Sequence, residues 1–236
     1  MVHTPRHART PACLSRHGTN WSNRFLSILA GSRKGDWATR DAKRALREEL
    51  YRLAHGKCVY CESPLELTGY LEVEHYVAKT VAPRLAFEWT NLLPVCRRCN
   101  NAKGDEDHRN VLLKPDDEDP EPYFWVDPGT GRLQAHPDLD PEQTHRANET
   151  IRLCDLQRPA LCSARIAMLK WALRWLEQVP DDGGLSDRLA QEWEDLSHPE
   201  TGYKFVLRHV LETCGQRGLA ELDRARFQGV PVQSLL

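Results

Sequence analysis

No stretch of this 236-residue chain approaches the roughly 18 consecutive apolar residues that a bilayer-spanning helix requires. The longest early apolar run, Phe25 to Ala30, is too short and too far along to serve as the apolar part of an export signal. A cytoplasmic location is therefore the expectation. No internal repeat is visible, which argues against a solenoid or a propeller. Strong net charge is absent too: 32 Lys and Arg face 34 Asp and Glu, for a formal charge of -2. Any affinity for a polyanion has to be local to one region or supplied by another subunit.

What charge there is lies unevenly. Residues 1–54 hold 11 Lys/Arg against 4 Asp/Glu, whereas residues 105–149 hold 4 against 13. The remaining segments, 55–104 and 150–236, are nearly balanced. The basic N-terminal third is a candidate phosphate-contacting surface. The acidic segment is expected to face solvent or a basic partner. The composition, 40% hydrophobic and 28% charged, is that of an ordinary globular protein. The length allows one substantial domain or two small ones. Seven Trp suit a well-buried core or a partner surface.

Periodicity organises the chain as α+β and mainly helical. Residues 1–35, rich in Pro, Arg, His, Ser and Gly, read as an extended arm with at most one helical turn. Residues 36–54 predict an amphipathic helix with Trp37, Ala42, Leu46, Leu50 and Leu53 on one face. Asp36 or Thr39 can cap its start. A small hairpin is expected from Tyr123 to Val126 and from Gly131 to Ala135, turning at Asp127-Pro128-Gly129. Helices follow over 141–156 and 159–178, with Pro159 in the first turn of the second. That second helix carries two apolar stripes: Ile166, Leu169, Leu173 and Leu176, and then Met168, Trp171 and Trp175. After a linker near Val179 to Gly184, two more helices are expected near 185–197 and 203–214. Three units result: the arm (1–35), a helix plus metal-stabilised core (36–106), and an acidic hairpin with a helical region (107–236).

Chemistry concentrates between the first and third of these units. Four of the eight cysteines form two Cys-x-x-Cys pairs, Cys58/Cys61 and Cys96/Cys99, while Cys13, Cys154, Cys162 and Cys214 show no pairing pattern. Each pair presents two sulfurs to one ion, so together they predict a structural four-cysteine zinc site with no position left for water. Between them, Tyr70 to Tyr76 alternates as a short strand ending in Glu74-His75. Asn91 precedes the second pair, and Asn100 and Lys103 follow it.

The order of these residues resembles the HNH nuclease family and its ββα-metal core. The resemblance implies an enzyme that hydrolyses nucleic-acid phosphodiesters. His75 then corresponds to the general base and Glu74 to an acidic metal ligand that is usually Asp. Asn91 corresponds to the residue holding the loop that orients the His. Asn100 corresponds to the last metal ligand, and Lys103 to a basic residue that contacts phosphate. Such a reaction needs a deprotonated water and positive charge beside the phosphate and leaving oxygen. A neutral His takes the proton. Two protein oxygens, from Glu74 and Asn100, suit Mg²⁺, and Mn²⁺ also fits. Glu72, on the same strand face as Glu74, is a further candidate ligand or support. Arg97 and Arg98 are open to phosphate or to water alone.

The likeness runs further. Thr10-Pro11 and Leu14, Cys58-Val59-Tyr60-Cys61-Glu62, Glu74-His75-Tyr76, Asn91-Leu92-Leu93, Lys103-Gly104-Asp105, and the Tyr123-to-His136 hairpin before Asn148 to Leu156 resemble one HNH branch. That branch is the nuclease subunit of Septu-type anti-phage defence systems, also found beside retrons. The resemblance implies an ABC/SMC-like ATPase partner and a nucleic-acid substrate, DNA ahead of RNA. Two other readings stay open: a zinc-stabilised binding or scaffold subunit without catalysis, and a stand-alone restriction-like nuclease.

Overall fold

The structure is a computed structural model, and it describes residues 1–4, 10–66 and 71–177 together with Tyr203 and Val206. The helices expected near 185–197 and 203–214 fall outside the described residues, apart from those two positions. Among the described residues, no helix is long and apolar enough to cross a membrane.

The first correction concerns the N-terminal arm. Ala12–Leu29 forms an 18-residue helix, α1, where the sequence suggested at most one turn. Gly18, Thr19, Asn20, Ser22 and Asn23 are weak helix formers that dilute the signal. No side chain caps its start at Pro11. Packing overrides propensity here: Leu14 and Phe25 are buried, and the Trp21 ring lies 5.7 Å from that of Phe87. The extended piece is confined to the start. There Val2 N–H donates to the Val59 carbonyl and Thr4 N–H to the Pro115 carbonyl, so Met1, Val2 and Thr4 are buried.

The second helix, α2, spans Arg40–Leu53 and is capped by the Thr39 hydroxyl, which accepts from Ala42 N–H. Ala42, Leu46 and Leu50 are wholly buried, as the apolar period requires. They pack onto a two-stranded antiparallel ribbon made of β1 (Leu71–His75) and β2 (Leu92–Cys96). The ribbon pairs Leu71 with Cys96 and His75 with Leu92. The short α3 (Arg97–Lys103) follows β2 directly. Together, β1, β2 and α3 form the ββα unit.

The acidic segment wraps back as a small hairpin, β3 (Phe124–Val126) with β4 (Leu133–Ala135). Its turn closes through the Asp127 carboxylate, which accepts from Gly129 and Thr130 N–H. Gly131 sits there at φ 66 with its Cβ direction against the Cys162 carbonyl, so no side chain fits. Helix α4 (Pro141–Leu153) starts in a capping box formed by Asp140 and Gln143. Helix α5 spans Pro159–Glu177.

The stripes on α5 differ from expectation. Its buried positions are Leu161, Arg165, Leu169, Ala172 and Leu173. Ile166 and Met168 are only partly buried, and Trp171 is 47% exposed. The side chains of Trp175 and Leu176 lie outside the described residues. An arginine enters the core face because its guanidinium donates to two carbonyls, Gly131 at 3.1 Å and Leu156 at 2.9 Å. These bonds satisfy the buried charge in part.

Candidate active site and metal centre

The four paired cysteines converge. Cys58 and Cys61 lie in the loop after α2, Cys96 ends β2, and Cys99 sits in the first turn of α3. A tight turn gathers the first two, with Glu62 at φ 60 and its N–H on the Cys58 carbonyl. All four are free and buried, and their sulfurs lie within 4.8 Å of one another. The Cys61 and Cys96 sulfurs are 3.8 Å apart. A tetrahedron with Zn–S of about 2.3 Å has sulfurs about 3.8 Å apart, so the cluster has the dimensions of a thiolate zinc site. The Arg158 guanidinium leans on it, with one nitrogen 3.5 Å from Cys99 Sγ and the other 3.8 Å from Cys96 Sγ. Arg158 comes from the α4–α5 turn, and nothing in the cysteine spacing announces it.

The other end of the ribbon holds the acid and the imidazole. Glu74 and His75 are 4% exposed each, yet both line a cavity of about 250 Å³ with Lys79, Asn100, Asn101 and Asp105. His75 Nε2 lies 3.0 Å from the Ala86 carbonyl. A carbonyl only accepts, so this bond puts the proton on Nε2 and leaves the lone pair on Nδ1. Trp37 packs edge-on against the imidazole, centroids 4.7 Å apart at 83°. Burial, reinforced by the charge of Lys79, pushes His75 down to about 4, so at neutral pH the ring is uncharged.

Glu74 behaves differently. Burial pushes its carboxyl up and Lys103 pulls it down, leaving it at about 7. Lys103 Nζ is 2.5 Å from Glu74 Oε1 and 3.1 Å from the His75 carbonyl. The Lys103 side chain has no solvent exposure. It holds the end of β1 rather than standing open to phosphate, because α3 delivers it beneath the strand. Asn91, also buried, accepts from Val77 N–H at 2.8 Å and donates to the Val77 and Leu85 carbonyls. It staples the loop that follows the His.

Asn100 donates through Nδ2 to Glu72 Oε2 at 2.5 Å. That bond turns the amide nitrogen to Glu72 and leaves the amide oxygen, a lone-pair-bearing acceptor, as the atom able to ligate a cation. A carboxylate from Glu74 and this amide oxygen are hard ligands on one cavity wall, and the set fits a small hard divalent cation. Glu72 thus supports Asn100 in this structure, with Arg97 Nε 3.9 Å from its other oxygen.

Sequence reasoning missed three neighbours. Lys79 lines the cavity four residues after His75, but the strand alternation ends before it, so no period aims its side chain. Trp37 was expected only as an apolar face residue. Asp105 arrives with the turn after α3.

Residues 58–106 match the HNH endonuclease family model, so the ββα unit with its cysteine pairs and Glu74-His75 strand is an HNH endonuclease domain. The chain is also similar to two curated proteins named Septu protein PtuB. One, from Bacillus thuringiensis, is 36% identical over 46% of this chain and 39% of its own length. The other, from Bacillus mycoides (strain KBAB4), is 27% identical over 53% of this chain and 51% of its own. The match spans about half or less of those relatives.

Proposed function

We propose that this chain is a metal-dependent endonuclease that hydrolyses nucleic-acid phosphodiester bonds, and that it acts in the cytoplasm as the nuclease subunit of an anti-phage defence complex beside an ABC/SMC-like ATPase. The observation that carries the chemical part is the convergence of Glu74, His75 and Asn100 on one cavity within the HNH domain. The similarity to Septu proteins supports the defence role and the partner.

In this reading His75 is the general base. Its Nδ1 lone pair takes a proton from the attacking water, while the Ala86 carbonyl fixes the tautomer and Trp37 limits ring rotation. Mg²⁺ or Mn²⁺ bound by the Glu74 carboxylate and the Asn100 amide oxygen would supply positive charge to the phosphate and the leaving oxygen. Asn91 keeps the loop beyond His75 in place, and Lys103 holds Glu74 at the strand end. Cys58, Cys61, Cys96 and Cys99 bind Zn²⁺ for structure alone.

The test is conversion of supercoiled plasmid, and of tRNA in parallel, with Mg²⁺ and with the chain's native complex recovered by pull-down. The wild type is expected to cleave, and His75→Ala to lose on the order of 10²-fold or more. Equal, background-level products from both would favour a non-catalytic scaffold. Undiminished cleavage by the chain without any ATPase would favour a stand-alone nuclease.

A further inference from the structure

A phosphodiester entering the cavity meets two carboxylates, Glu74 and Asp105, and needs a cation from the protein as well as from any metal. The obvious lysine is already engaged: Lys103 is fully buried against Glu74 and the His75 carbonyl. Lys43 is ion-paired with Asp36 and lies over the Trp37 ring. Arg97 leans toward Glu72. Among the residues lining the cavity, Lys79 is the lone ammonium, and it makes no ion pair with any described residue.

Its backbone is also well held. Asn91 fastens Val77 through both its N–H and its carbonyl, two positions before Lys79. On the other side, the Thr80 hydroxyl donates to the Asp105 carbonyl at 3.0 Å, tying this loop to the exit of α3. Lys79 therefore starts from a fixed point on the rim, half-buried, with a flexible stem and three donors at its tip. It lines the same cavity as Glu74 and His75, and its charge acts on both of them and on Asp36.

We infer that Lys79 is the phosphate-binding residue of this cavity, its ammonium donating to a non-bridging oxygen of the bound nucleic-acid backbone. The inference rests on the nuclease reading for its substrate class. It assigns to Lys79 the contact that the sequence had suggested for Lys103.

The experiment measures binding of a fluorescein-labelled DNA duplex to the full-length His75→Ala chain by fluorescence polarisation over a KCl series. Each phosphate contact contributes about one unit to the slope of log affinity against log salt. Adding Lys79→Gln is expected to weaken binding about ten-fold at low salt and to reduce that slope by about one. Lys79→Arg, which keeps the charge, is expected to restore the slope. An unchanged slope and affinity in Lys79→Gln would overturn the inference, as would absence of any binding by the His75→Ala parent. The nuclease reading is judged separately, by His75-dependent plasmid cleavage in the otherwise unaltered chain. If that cleavage is absent while Lys79 still sets the salt slope, the cavity binds phosphate without hydrolysing it.

Discussion

Lys103 and Glu74 form an ion pair whose side chains are 0% and 6% exposed. Two charges so far from water gain little net free energy over an apolar pair, but removing one partner strands the other. Lys103→Met alone is therefore expected to destabilise the protein by about 3–5 kcal/mol, seen as a lower urea midpoint. Glu74→Gln added to Lys103→Met should recover much of that loss, because the stranded carboxylate is gone. A double-mutant cycle with no coupling energy would mean the pair does not hold the strand end. The same contacts keep this lysine, close as it is to His75, turned away from the cavity. Its three donors face a carboxylate and a backbone carbonyl, and reaching the cavity would break both contacts.

Between elements, the Glu118 carboxylate joins the loop before β3 to α4. It accepts from the Tyr123 hydroxyl and from the Arg146 guanidinium, the latter through both oxygens. Burial pushes Glu118 up, but these donors outweigh it and hold the group below the ordinary carboxylate value. A depressed folded-state pKa adds stability that is present above the unfolded value, near 4.5, and is lost as pH falls through the folded value. Arg146→Met should flatten the fall in unfolding free energy between about pH 5 and pH 3, measured by urea titration at each pH. A slope equal to wild type would show that the pair is neutral to folding. Elements of this kind differed in how far the sequence disclosed them. Helix α2 was legible because four apolar positions recur with helical period and Thr39 stands at its start. Helix α4 was legible from Asp140-Pro141 and Gln143. Helix α1 was hidden because its stability comes from Trp21, Leu14 and Phe25 meeting partners far along the chain, which no local window contains. The same division runs through the site. Cysteine spacing and the Glu74-His75 order were visible as text, whereas Trp37, Lys79, Asp105 and Arg158 reach it only through tertiary folding.

Across the whole molecule, the cysteine cluster joins three regions that are remote in sequence. Cys58 and Cys61 belong to the α2–β1 connection, Cys96 and Cys99 to the β2–α3 junction, and Arg158 ties in the α4–α5 turn. Four thiolates on Zn²⁺ would carry a net double negative charge, and Arg158 would offset part of it. Stripping the metal with a strong chelator is expected to unfold the HNH domain, since such sites contribute on the order of 10 kcal/mol at neutral pH. The readout is loss of helical circular dichroism in step with zinc release to a colour-forming chelator. Arg158→Gln should release zinc more readily, by about ten-fold or more in apparent affinity. Release indistinguishable from wild type would mean that the guanidinium only fills space.

The β1–β2 register has a consequence for where this molecule tolerates change in length. Five paired rungs separate the sulfur end, at Leu71 and Cys96, from the imidazole end, at His75 and Leu92. Side chains alternate faces at every rung, so one inserted residue would turn either the ligand or the acid to the wrong side. The connection from Tyr76 to Thr90 has no such parity, and what holds it is local: the Asn91 staple to Val77 and Leu85, the Ala86 carbonyl on His75 Nε2, and the Thr80 hydroxyl on the Asp105 carbonyl. Lengthening it between those contacts would reshape the cavity mouth while the ribbon continues to hold the cysteine cluster and His75 at a constant separation. The ribbon is the gauge of the domain, and the loop is the part that can be recut.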